Sequence, residues 1–142
     1  MHYIHSLLGA ILIVFNVCHT AHAQQELVIL RASSLNQGIQ QTLTAPYQQA
    51  IKHAREATVA AGFDVESCER ISDDIYIVLG KKMIAGDHYG EVIRVLVIRK
   101  APTVSEVRLL VRQRISSNTL SGHNRPEKIR NDILVRLSSV NT

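Results

Sequence analysis

Ile75-Tyr-Ile-Val-Leu79, Val92-Ile-Arg-Val-Leu-Val-Ile98 and Val107-Arg-Leu-Leu-Val111 are three apolar, β-branched-rich runs within one stretch, Asp74 to Ile115. Turn-forming residues separate them: Ala85-Gly86-Asp87-His88-Tyr89-Gly90, then Ala101-Pro102-Thr103. Short apolar runs bounded by Gly, Pro and Asp read as strands, and connections this short join antiparallel neighbours. The stretch therefore predicts a three-stranded meander onto which the rest of the chain packs.

Upstream, Thr44 to Gly62 is the clearest helix. Thr44 is placed to cap it, and Pro46 suits a first turn, where a missing N–H costs nothing. Tyr47, Ala50, Ile51, Ala54, Thr58 and Ala61 recur at helical spacing. They form one face, with Gln49, Lys52, His53 and Glu56 on the other. Gly62 ends the helix, because Gly adopts the left-handed cap conformation without strain. Phe63-Asp-Val-Glu-Ser-Cys68 alternates apolar and polar and reads as a strand, and Ser72-Asp73-Asp74 as the turn into the meander. Downstream, Ser116 to Asn124 reads as a loop. Asn124, with Glu127 three residues on, opens a second helix whose stripe is Ile129, Ile133, Leu137 and Val140. Glu26 to Ala32 reads as a strand or an N-terminal arm, and Ser33 to Thr44 as a polar connector. The order is (β)-α-β-β-β-β-α. It implies an α+β fold: an antiparallel sheet of four strands, or five with the first, and two helices packed on one face.

The N-terminus has the pattern of an address. Leu7 to Val17 has the length of a signal-peptide apolar core, and Ala21-His22-Ala23 is an A-x-A cleavage site. The apolar run is shorter than the roughly 20 residues of a membrane span. Val17 before Cys18 departs from the small residue of a lipoprotein signal. Residues 1–23 are thus expected to be a cleaved signal and the chain to be periplasmic or secreted, with 24–43 an arm and connector and 44–142 the α+β domain.

The 142 residues carry 16 Lys and Arg against 12 Asp and Glu, all after residue 23, for a net charge of +4. This mild excess favours acidic surfaces. Nucleic acid is not indicated, because Tyr47, Phe63, Tyr76 and Tyr89 are too scattered to stack bases. Cleavage leaves Cys68 as the one cysteine, either a small buried hydrophobe or a free thiol.

A resemblance adds to this. Tyr47-x2-Ala50-Ile51, Ala61-Gly62-Phe63-x-Val65 and Gly90-Glu91-Val92-Ile93-Arg94-Val95, with the closing helix, resemble small bacterial envelope domains of unknown function. In element order the chain is similar to the accessory lipoproteins of outer-membrane barrel assembly. The resemblance implies a helix-on-sheet fold and an envelope compartment. It brings no catalytic residues.

No site chemistry stands out by spacing. His53, His88 and His123 share no metal-ligand interval. Asp73 and Asp74 are adjacent in a turn, whereas catalytic carboxylates face one another across a cleft. Asp87-His88 reads as an ordinary hairpin turn, and Gly86-x3-Gly90 lacks the Lys-Ser/Thr ending of a phosphate loop. No catalytic, cofactor or metal site is therefore assigned. The arginines give the partner-binding candidates. Arg108, Arg112 and Arg114 alternate onto one face of the last strand with Glu106 and Leu110, opposite Val107, Leu109 and Val111. Arg94 joins them in one of the two hairpin registers. Guanidinium groups among aliphatic residues on an open sheet face suit an acidic partner: an envelope protein, lipid or glycan. The leading expectation is an exported, non-enzymatic domain binding an envelope component through that face. The alternative is a small-molecule carrier with a pocket between helices and sheet, and a hydrolytic enzyme stands third.

Overall fold

The structure, a computed structural model, describes residues 24–82, 90–113 and 125–139, with the backbone alone at Gln113, Arg125 and Pro126. Residues 1–23, expected from the sequence to be a signal, the 85–90 turn up to Tyr89, Arg114, the 116–124 loop with His123 and Asn124, and Val140 lie outside the described residues.

The order is α1 (residues 24–32), β1 (Ile39–Leu43), α2 (Tyr47–Ala60), β2 (Asp64–Ser72), β3 (Ile75–Lys82), β4 (Glu91–Ala101), β5 (Val104–Gln113) and α3 (Arg125–Ser138). The strands form one five-stranded antiparallel sheet, β1-β5-β4-β3-β2. The meander and the α+β class thus stand as the sequence has them.

Three details differ. The fifth strand is not Glu26–Ala32 but Ile39–Leu43, within the stretch read as connector. Its Ile39, Gln41 and Leu43 alternate with Gln40 and Thr42 beside β5. Glu26–Ala32 lies inside α1. Finally, the helices occupy both faces, α2 and α3 on one and α1 on the other. A helix satisfies its own backbone and so can lie across a sheet face, which a lone strand cannot.

α2 starts at Tyr47 behind Pro46, whose φ of −57° is already helical and which, rather than Thr44, holds the cap position, without a side-chain hydrogen bond of its own. It ends as expected at Gly62, at φ 86°. Gly62 N–H donates to Val59 O (2.9 Å) and Phe63 N–H to Thr58 O (3.2 Å), which is a Schellman closure. Tyr47, Ala50, Ile51, Ala54, Ala57 and Thr58 are buried against the sheet. Ile129, Ile133 and Leu137 of α3 join them over Val78, Ile93, Val95, Val97, Val107 and Leu109. The small alanines let α2 lie close, and side chains fill this layer.

On the opposite face Leu27 and Leu30 of α1 cover Ile77, Leu79, Val92 and Leu96, with Ile98 and Leu110 at the margin. β4 is thus buried on both sides along its apolar length, Val92 to Val97.

A candidate binding surface over the arginine-bearing face

The pairing register settles which face each arginine occupies. Arg94 lies between Leu79 of β3 and Leu110 of β5, Leu96 faces Arg108, and Val92 faces Arg112. Side chains alternate along strands, so Arg94, Arg108 and Arg112 share one face. It is the face that α1 covers.

Arg94 is fully buried. Nη1 donates to Leu30 O (2.9 Å) and Ser33 O (2.6 Å), and Nη2 to Ser34 O (2.9 Å) and Gln37 O (3.1 Å). The last turn of a helix leaves carbonyls unpaired and carries the negative end of the helix dipole, so a cation there caps it. Arg94 thus ties α1 to the sheet. Burial pulls its guanidinium below the ordinary value.

Arg108 is also turned to internal work. It pairs with Glu106, and its Nη1 donates to Leu35 O (2.9 Å) and Asn36 Oδ1 (2.8 Å), holding the loop after α1. Glu106 is itself buried and receives Gln40 Nε2 (2.9 Å) and Lys100 Nζ (3.2 Å). Of the candidate arginines described, Arg112 is the solvent-facing one. Its side chain is 44% exposed, 3.9 Å from Glu26 of α1.

The surface presented outward on this side belongs to α1. Leu27 and Leu30 point to the sheet, and Val28 and Ile29 point away, Val28 at 64% exposure. Ala32, one turn on, lines a shallow groove with Arg31, Leu35, Arg70 and Ile71. Leu35 and Ile71 are exposed as well, Ile71 at 48%. Ile71 is the extra residue where the β2–β3 register shifts between Arg70 and Ser72, which turns it out of the ladder. Arg31 reaches Glu69 of β2 at 2.9 Å. Val59 on α2 and Val135 on α3 are exposed singly on their own helices, as is common on any surface.

The remaining candidates are dispersed. Cys68 is half-buried against the α2 layer beside Tyr76, not fully enclosed. Burial raises the Tyr76 hydroxyl, and the Cys68 thiol adds to the rise. Asp73 and Asp74 form the exposed β2–β3 turn, where Asp74 O accepts from Arg99 N–H (2.8 Å). His53 is half-buried rather than on the open side of α2. Its Nε2 is enclosed with no partner among the described residues, and Nδ1 lies 3.7 Å from Glu56. No three His, Cys, Asp or Glu side chains converge among the described residues. An open groove of about 700 Å³ runs between α2 and β2, lined by Ile51, Arg55, Val59 and Val65 among others.

No family model matches the chain, and no curated protein matches it either. Among solved structures, the adenylate sensor from AMP-activated protein kinase in complex with ZMP is similar at 14% identity and a TM-score of 0.49. That match covers 75% of this chain and 99% of the other. TTHA0849 from Thermus thermophilus is similar at 10% identity and a TM-score of 0.34, over 73% and 97%. Neither likeness carries a functional assignment to this chain.

Proposed function

We propose that the chain is an exported, non-enzymatic binding domain of the cell envelope that meets its partner with the α1 side of its sheet. One observation carries this reading: α1 is apolar on both sides, and its outer side is open. A helix with apolar residues all round is ordinarily enclosed. Here Leu27 and Leu30 find the sheet, while Val28 and Ile29 face solvent, Val28 one turn before Ala32, which lines the shallow groove with Leu35 and Ile71. Clustered exposed apolar residues edged by charge mark an interaction surface. The arginine-bearing face is then partner-facing through the helix laid over it, with Arg31 and Arg112 at the rim.

The groove between α2 and β2 supports a second reading, a small-molecule carrier, and the two make opposite predictions. A photo-crosslinking residue placed at Val28 or Ile71 should give an adduct in the native envelope. The same residue at Lys52, beside the groove, should not. Adducts from Lys52 with none from Val28 or Ile71 would overturn the α1-side reading.

A further inference from the structure

We infer that the partner of the α1 side is a protein that lays an extended segment along the open edge of β2, adding a strand to the sheet. The inference rests on the α1-side reading above and names the form its partner takes.

The backbone argues first. β2 ends the sheet, with β3 on one side and no strand on the other. Every second residue of such a strand turns its N–H and C=O outward. Among the described residues nothing bonds to the outer side of β2. Exposed edges are ordinarily blunted by shortness, by lysine or proline, or by charges standing over them. β1, at the opposite edge, has five residues. β2 has nine, none of them Lys or Pro. Its glutamates Glu66 and Glu69 are drawn back onto the protein by Lys81 and Arg31, each at 2.9 Å. The register does shift at Glu66 and at Ile71, and such bulges are an edge device too. They bound a regular stretch from Ser67 to Arg70. An added ladder is thereby held to a short segment, and continuous pairing of β2 with a second copy is discouraged.

The groove argues second. Arg31, Ala32 and Leu35, at and beyond the end of α1, line a groove of about 570 Å³ with Glu69, Arg70 and Ile71 of β2. Leu35 and Ile71 are exposed in it. A strand laid on the edge sends alternate side chains to each face of the sheet. Those on the α1 side enter this groove, where apolar ones cover Ala32, Leu35 and Ile71. Those on the other side lie beside Cys68 and Arg70, which share the α2 face with Val78 and Tyr76, and are polar. Main-chain bonds to a free edge, with a groove beside it that receives every second side chain, are how extended peptides are recognised.

The test places a photo-crosslinking residue in turn at Ser67, Glu69 and Ile71 of the full chain in the native envelope. The linked partner residues are read by mass spectrometry. Strand addition predicts one contiguous partner segment, with the linked positions stepping along it in order. Proline then separates backbone pairing from side-chain contact. Cys68 and Glu69 are successive, so one N–H faces β3 and the other faces the open edge. Of Cys68→Pro and Glu69→Pro, the variant that keeps the wild-type melting curve is the outward one, because an edge strand accepts proline there. That variant should lower the adduct yield at Ile71 by about fivefold, the effect of one lost hydrogen bond. Should neither keep the melting curve, Ser67→Lys replaces them, since lysine blunts an edge without changing the backbone. Adducts at Ile71 that scatter over a folded partner surface, or that the edge-blocked variant leaves unchanged, overturn the inference while the α1-side reading stands. Adducts of Ile71 to residues 1–23 or to a second copy of this chain also overturn it. No adduct at either Val28 or Ile71 overturns both.

Discussion

Replacing Arg94 by Met removes four hydrogen bonds of 2.6 to 3.1 Å from the end of α1 and leaves a side chain that suits its neighbours Leu79 and Leu110. Bonds from a charged donor contribute about 1.5 to 3 kcal/mol each, but the four do not add. Ser34 and Gln37 are exposed, so their carbonyls regain water. Leu30 O keeps the Ser33 N–H at 3.3 Å. Removing a buried guanidinium also relieves its desolvation cost. The net loss is then about 3 kcal/mol, a large part of a typical stability of about 5 to 15 kcal/mol. At about 4 °C per kcal/mol for a domain of this size, the melting temperature should fall by about 12 °C. Amide exchange should show where the loss lies. Residues 24–40 should lose protection well before β3, β4 and β5. Arg94→Lys should fall between the two, since one ammonium cannot span carbonyls spread from Leu30 to Gln37. If Arg94→Met melts within about 2 °C of wild type and α1 keeps its protection, the clamp does not hold α1 and the reasoning fails.

Gly38 sits at φ 118° where β1 begins, and a Cβ there would stand 2.5 Å from Leu109 O, so Gly38→Ala should cost at least about 2 kcal/mol in a denaturant titration. The Tyr47 hydroxyl is enclosed without a partner among the described residues, so Tyr47→Phe should leave the melting temperature unchanged or raise it. Burial raises the hydroxyl pKa of both Tyr47 and Tyr76 in the folded chain. The unfolded chain therefore loses these protons first, and stability should hold up to about pH 10 and decline above it, with a smaller decline in Tyr47→Phe. Ile51→Asp places a carboxylate in the α2 layer and should abolish the cooperative melt.

Part of this fold is written in single elements. The strands of the meander announce themselves by β-branched runs between turns, and α2 by an apolar stripe closed at Gly62. β1 does not, because an edge strand keeps one side polar: Ile39-Gln-Gln-Thr-Leu43 differs little from a loop until β5 lies beside it. α1 is hidden for the opposite reason. Leu27-Val-Ile-Leu30 is rich in residues that favour strands, and no period distinguishes four consecutive apolar residues in a helix from four in a strand. Tertiary partners decide: Leu27 and Leu30, three apart, meet the sheet together only in a helix.

One signal for the second covered face does lie in the sequence, in β4. Val92-Ile-Arg-Val-Leu-Val-Ile98 is apolar at nearly every position, and a strand with water on one side alternates instead. Such a run requires cover on both faces, so something had to lie over Val92, Leu96 and Ile98. The single charge in that run makes the same demand more sharply. A guanidinium at Arg94, flanked by Leu79 and Leu110, is tolerable only if acceptors reach it. The acceptors that suit a buried cation without a carboxylate are the free carbonyls at a helix C-terminus. Arg94 therefore reads as the imprint of a helix end rather than as a binding residue. On the function proposed above, the outward apolar residues of that same helix, not Arg94 beneath it, are what a partner meets.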